Sequence, residues 1–213
     1  MQTATTPFRL TSFRDKHPSY TDGYEGWRGT SPELGEISVT YPFRPGEERM
    51  YSLVEGEGIP TVRYDTKGLH VSAGLGMPTL NRGTLRVGEE EVAMSRNRLG
   101  VTEQSRALHL TRGEDEYRLW AITGLHYALA RQPAGGRPGV TVRVEHSGKF
   151  GIRAMRDGRL HLAFAIEGVA EPADIALAAM FSGVDRSNLT PGGSVRAMFA
   201  RGRDQVLEIG TGL

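Results

Sequence analysis

The sequence predicts a mainly β protein: an antiparallel meander closing into a barrel, or a strongly curved sheet, around one short buried hydrophobic helix. Three observations predict it. Glycine is in excess, 28 of 213 residues, and glycine weakens helices while permitting tight turns. Short alternating runs punctuated by turn residues recur from Arg49 to Glu167, the mark of strands in sequence. Within 172–182, every residue from Ile175 to Phe181 is apolar, so this helix has no solvent face and needs a sheet around it.

Residues 1–49 read differently from the rest. They hold five of the 11 prolines and seven of the 16 aromatic residues, with no periodicity of useful length. Disordered tails are poor in aromatics. The segment is therefore expected to be an extended arm, separate from a barrel-like domain over 50–213. Its rings Phe8, Phe13, Tyr20, Tyr24 and Trp27 would dock either onto its own domain or onto a neighbouring subunit.

Strands are expected at 61–64 and 69–71 around a turn at 65–68, and at 84–87 and 92–94 around Gly88 and the acidic run Glu89 to Glu91. Further strands follow at 106–111, 116–122, 125–131, 140–145, 149–155 and 160–167. Asp157-Gly158 is the strongest hairpin signal, because a type I′ turn needs φ > 0 at both centres. On the 125–131 strand, Leu125, Tyr127 and Leu129 share one face, and on the last strand Leu160, Leu162, Phe164 and Ile166 do. Pro172 suits a first helical turn, and Gly183 suits a left-handed C-terminal cap. Burying Ile175, Leu177, Met180 and Phe181 would contribute about 6–12 kcal/mol as an upper figure.

A curved meander followed by a short, wholly apolar helix resembles the tubby, LURP-one and phospholipid-scramblase group. The resemblance rests on the 117–122/125–131 hairpin, the Asp157-Gly158 hairpin and the 174–181 helix. It implies a closed barrel threaded by its helix over roughly 50–185, and it carries no functional residue to this chain.

Composition narrows the functions. Twenty-six basic residues against 25 acidic ones leave a net charge of +1, which gives no electrostatic case for nucleic acid or an anionic membrane as an obligate partner. There is no cysteine, which removes disulfides, thiolate metal sites and cysteine nucleophiles. No apolar run approaches the ~20 residues of a membrane-spanning helix, and no signal-like apolar stretch follows Met1. A cytoplasmic address is the expectation. Only three lysines occur, a bias associated with GC-rich bacterial or phage genomes.

Motif searches point to no chemistry. Val206 to Gly212 looks like the glycine-rich loop of S-adenosylmethionine-dependent methyltransferases, but the βα units that must follow it are missing before Leu213, so a terminal strand is expected. Ser147-Gly148-Lys149 lacks the rest of a phosphate loop, and no G-x-S-x-G elbow is present. The six histidines lack metal-ligand spacing. Neither cofactor nor metal is expected. Arg82, Arg86, Arg96, Arg98 and Arg106 fall within 25 residues and could form a patch for phosphates or phospholipid head groups. Interleaved Glu89, Glu90, Glu91 and Glu103 make a plain charged surface the simpler alternative.

The expected function is a non-catalytic binding or scaffold domain acting through its outer surface and arm. Its partner would be a protein, itself included as a homo-oligomer, or an anionic phospholipid surface. The alternatives are a structural subunit of a homomeric phage or bacterial particle and an enzyme of unrecognised type.

Overall fold

The computed structural model describes residues 2–15, 24–42, 49–67, 78–80, 83–97, 102–147 and 160–190. Twelve antiparallel strands form a closed barrel in simple meander order. They are β1 (Phe8–Asp15), β2 (Tyr24–Ser31), β3 (Gly35–Pro42), β4 (Arg49–Gly56), β5 (Val62–Lys67) and β6 (Gly83–Val87). Then come β7 (Glu90–Arg96), β8 (Leu108–Arg112), β9 (Asp115–Ala121), β10 (His126–Arg131), β11 (Val140–Ser147) and β12 (His161–Glu167). A short helix, α1 (Glu103–Arg106), precedes β8, and α2 (Pro172–Met180) follows β12.

The expected arm is not an arm. Residues 8–42 supply three strands of the wall, and β3 pairs with β4 from Ile37↔Gly56 to Thr40↔Leu53, across the boundary expected at residue 49. Phe8 makes the closing contact: it sits opposite Phe164 in the β1–β12 ladder, the rings stacked at 4.5 Å. Trp27 is fully buried, and Phe13 covers Gly26 on the outer face, with Arg28 over its ring at 4.3 Å. Tyr24 bonds the Tyr51 hydroxyl at 2.7 Å, and Tyr20 lies outside the described residues. The rings are there because the barrel needs them.

Glycine hides these strands from a reading by alternation. A methyl on Gly26 would land on the Val39 carbonyl oxygen of the neighbouring strand. Gly26→Ala is therefore expected to lower stability by about 1–3 kcal/mol in urea unfolding. Gly124→Ala, where nothing lies within 4 Å, should leave it unchanged.

Two other expectations shift. β5 continues through Asp65, Thr66 and Lys67 of the turn expected at 65–68, because Tyr51 and Thr84 partner Asp65, and Met50 and Gly83 partner Thr66, on its two sides; Gly68 and the strand expected at 69–71 lie outside the described residues. β11 pairs directly with β12, from Thr141↔Glu167 to Ser147↔His161. The strand expected at 149–155, the Asp157-Gly158 turn and the C-terminal 206–212 motif all lie outside the described residues.

The helix is where the sequence puts it. Every residue of α2 from Ala173 to Met180 is buried, most at zero exposure. A one-turn 3-10 segment, Phe181–Gly183, continues it, so Gly183 is not the left-handed cap expected. Its smallness serves packing instead: an added Cβ would meet Ser52 Oγ and Tyr41 Cδ1 at 3.1 Å. Ser52 Oγ donates to the Gly183 carbonyl at 2.6 Å, and the Tyr127 hydroxyl donates to the Ala178 carbonyl at 2.7 Å. Wall and helix end are thereby tied. No described helix is long and apolar enough to cross a membrane.

Candidate functional site

The two ends of the barrel differ. At the end where α2 enters, connections are mostly short: 32–34, 57–61, 88–89 and 113–114, with 132–139 the longest between strands. At the end toward which α2 points, the strands are separated in sequence by residues 16–23, 43–48, 68–82, 97–107 and 148–160, and by the four residues 122–125 between β9 and β10. Long connections on a rigid scaffold are where recognition concentrates.

The entry end is locked by ion pairs. Arg131 is 3% exposed and donates through Nε and Nη2 to the two Asp174 carboxylate oxygens at 2.9 and 3.1 Å. Asp174 also accepts the Glu171 N–H at 2.8 Å, holding the first turn of α2. Arg137 bridges Glu171 and Asp115 outside this pair. Burial disfavours the Arg131 charge, yet its hydrogen bonds to Asp174 and the charges of Asp174 and Glu171 outweigh that and hold its pKa above the ordinary range. This end is structural.

The opposite end carries a second cluster of buried polar side chains. On β11 the inward phase reads Val140, Val142, Val144, His146, so the strand that lines the core ends in an imidazole. On β2 the inward phase brings Glu25 next to Trp27, and Arg14 reaches Glu25 at 3.5 Å. Beyond the 3-10 turn, Arg186 folds back under the helix end, 8% exposed. Its Nη1 donates to the Phe181 carbonyl and, at 3.1 Å, to the Val184 carbonyl. Its guanidinium lies 4.1 Å from the Tyr127 ring centroid, and Nη2 is 3.4 Å from His146 Nε2. The His146 ring meets Trp27 edge-on at 5.3 Å.

Burial decides the electrostatics here. It pushes the His146 pKa down to about 3, helped by the charges of Arg186 and His126. It pulls Arg186 below its ordinary range, with Tyr127, Asp185 and Tyr41 acting the other way. It raises Glu25 against the pull of Arg14, and raises the Tyr41 and Tyr127 phenols well above theirs. A neutral imidazole facing a guanidinium that keeps its proton is a poor acid–base couple. The Trp27 indole N–H, fully buried, has no hydrogen-bond partner among the described residues.

The rim outside this cluster carries an apolar tip. The turn between β9 and β10 exposes Ile122 at 45% and Leu125 at 37%. Leu125 thus leaves the core face expected for it, because Thr123 Oγ1 accepts the N–H groups of Leu125 and His126 and turns the chain outward. On the outward phase of β9, Arg118 lies over the Trp120 ring at 4.9 Å.

Of the arginine cluster read from sequence, Arg86 and Arg96 stand on opposite faces of the barrel wall. Arg86 points outward from β6, beside Arg63 and Glu91 in the neighbouring strands, and Arg63 is engaged by Asp65 at 2.7 and 2.8 Å. Arg96 follows Val92 and Met94 on the inward phase of β7, near enough to Tyr64 to affect its phenol. Arg106 ends α1, half-buried. Arg82 and Arg98 lie outside the described residues. Alternation along a strand separates what spacing in sequence brought together.

Among the described residues no group of three His, Asp or Glu side chains could hold a metal ion. The chain matches no family model, no curated protein and no solved structure.

Proposed function

We propose that this chain is a non-catalytic binding domain that meets its partner through the rim at the helix C-terminal end, with the β9–β10 tip as the point of contact. The observation that carries this is the pairing of exposed Ile122 and Leu125 on one tight turn. Exposed apolar residues scattered singly need no explanation, and Val169, at the other end of the barrel, is such a case. Two on one tip, with Trp120 and Arg118 behind them, form an amphipathic probe.

That order, aliphatic tip, then indole, then guanidinium, suits the interface of an anionic phospholipid surface. Transfer of two half-exposed aliphatic side chains contributes about 2–4 kcal/mol, close to a millimolar constant on its own. Electrostatic attraction must supply the rest, so binding should weaken with salt. A barrel threaded by an apolar helix also fits the architecture behind the resemblance to tubby, LURP-one and scramblase proteins, and supports a scaffold that presents loops rather than a catalytic cleft.

The expected result is co-sedimentation with phosphatidylcholine–phosphatidylserine vesicles that falls with salt. It should fall at least fivefold in Ile122→Ser/Leu125→Ser and in Arg118→Glu, with unfolding midpoints unchanged. Equal sedimentation of the double-serine variant would sink the proposal. The homomeric alternative loses its arm, since that segment is barrel wall. What remains for it is the same tip: a defined oligomer by light scattering that becomes a monomer in the double-serine variant would favour self-assembly over lipid.

A further inference from the structure

Between β6 and β7 the pairing of the wall is interrupted. Their ladder ends at Leu85↔Val92, while the ladders on either side run on, to Thr66↔Gly83 and to Arg96↔Leu108. Backbone phase decides which groups face the opening. Val87 and Glu90 flank the two-residue turn of the β6–β7 hairpin and form its first hydrogen-bonded pair. Leu85 with Val92 is the next such pair, and Gly83 with Met94 would be the one after. The β8–β9 hairpin gives the same phase from the other side. Arg112 and Asp115 flank its turn, which directs the backbone of Thr111 and His109 toward Ala93 and Ser95 of β7. The N–H and C=O of Met94 therefore point into the opening, with no ladder partner among the described residues.

The β6 side of the opening is kept bare. A side chain at Gly83 would land on the Tyr64 ring, and the Tyr64 hydroxyl donates to the Thr79 carbonyl at 2.8 Å, which fixes the ring there. What remains is a cavity of about 350 Å³ that β7 lines from Glu91 to Arg96, with Leu80 and Leu108 among its other walls. Those residues span about 17 Å of strand at roughly 3.4 Å per residue. A volume of that size drawn out over that length is a slot rather than a bowl.

We propose that this slot binds an extended peptide of another protein, about five residues long at ~3.4 Å per residue, which adds as a strand to the β7 edge around Met94. An open strand edge is a template for pairing. In strand addition, main-chain hydrogen bonds supply affinity and alternate side chains supply selectivity. Residues opposite each other in a ladder share a face, so the peptide residue paired with Met94 points inward, beside Leu80, Met94 and Leu108, which are apolar. Its neighbours stay outside, beside the exposed Ala93 and Ser95. The slot thus selects aliphatic residues at alternate positions between small polar ones. It is separate from the β9–β10 tip and does not depend on it.

Amide exchange read by nuclear magnetic resonance on the whole chain tests this, with acetyl-Thr-Leu-Thr-Leu-Thr-amide as the probe. In the free protein the Met94 amide should exchange at least tenfold faster than those of Val92, Ala93 and Ser95, which the flanking ladders engage. With the peptide in millimolar excess, protection of Met94 should rise at least tenfold, and shift changes should concentrate at 83–84 and 93–96. The same peptide N-methylated at both leucines, which removes the donors that face Met94, should do neither. Ile122→Ser/Leu125→Ser should bind the probe as the wild type does, so a failure here is distinct from a failure at the tip. A Met94 amide as protected as Val92 in the free chain would overturn the slot, whether that protection persists on dilution or is lost because a second copy occupied it. No response to the probe, or an equal response to its N-methylated form, would overturn it as well.

Discussion

Arg131→Met is expected to lower the unfolding free energy by about 3–5 kcal/mol, the range for breaking a buried ion pair from one side. The cost lies less in the lost attraction than in what is left behind. Asp174 would remain buried at 1% exposure, keeping the Glu171 N–H as donor but losing both guanidinium bonds. Asp174 opens α2, so the penalty falls on the element that fills the barrel. Arg131→Lys should lose less, because an ammonium keeps the charge but cannot repeat the two-pronged contact. The double variant Arg131→Met/Asp174→Asn should recover part of the loss, since a neutral amide still accepts from Glu171 and leaves no orphaned charge. A urea series at pH 7 on the four proteins separates these outcomes. Equal stability of Arg131→Met and wild type would mean that the pair is hydrated in solution and does not lock the helix.

The sequence showed the barrel through its second half and concealed it in its first. From β9 to β12 the inward phases are long, apolar and regular: Tyr117, Leu119 and Ala121, then Val140, Val142 and Val144, then Leu162, Phe164 and Ile166. In β1 and β3 the same alternation exists, in Phe8 and Leu10, and in Ile37, Val39 and Tyr41. There, however, the apolar phases are short, Phe8 and Leu10 giving way to Ser12 and Arg14, and Ile37 to Tyr41 lying between Gly35 and Pro42, and β2 gives up its side chains at Gly26 and Gly29 because neighbouring strands approach too closely. Aromatic content was a true signal of docking, but the dock was the barrel itself.

The candidate site was concealed for a different reason. His146 and Arg186 are 40 residues apart and make no motif. What marks them is phase. His146 stands where the alternation of β11 calls for an apolar residue, as Arg131 does on β10, Arg96 on β7 and Glu25 on β2. A polar residue on an inward phase needs a partner in the fold: His146 meets Arg186, Arg131 meets Asp174 and Glu25 meets Arg14. Clustering along the chain, the criterion that gathered Arg82 to Arg106, ignores the two-residue period that sends neighbours to opposite faces.

The helix sets the other large expectation. Leu177→Ala should cost about 2–5 kcal/mol, since the side chain is fully buried in the middle of α2 and the wall on every side is hydrogen-bonded to its neighbours, leaving little room to collapse into the void. Leu177→Asp should abolish folding at neutral pH, because the carboxylate would be buried at a fully enclosed position with no charged partner provided for it. A helix lying in a groove could rotate such a residue toward water. α2 cannot, because its exposure is near zero all the way round. Denaturation should stay a single transition with an unchanged slope in Leu177→Ala, since the helix and the inner faces of the strands are one core. A separate early transition, with far-ultraviolet strand signal retained after the helix is lost, would show that the barrel closes without its plug.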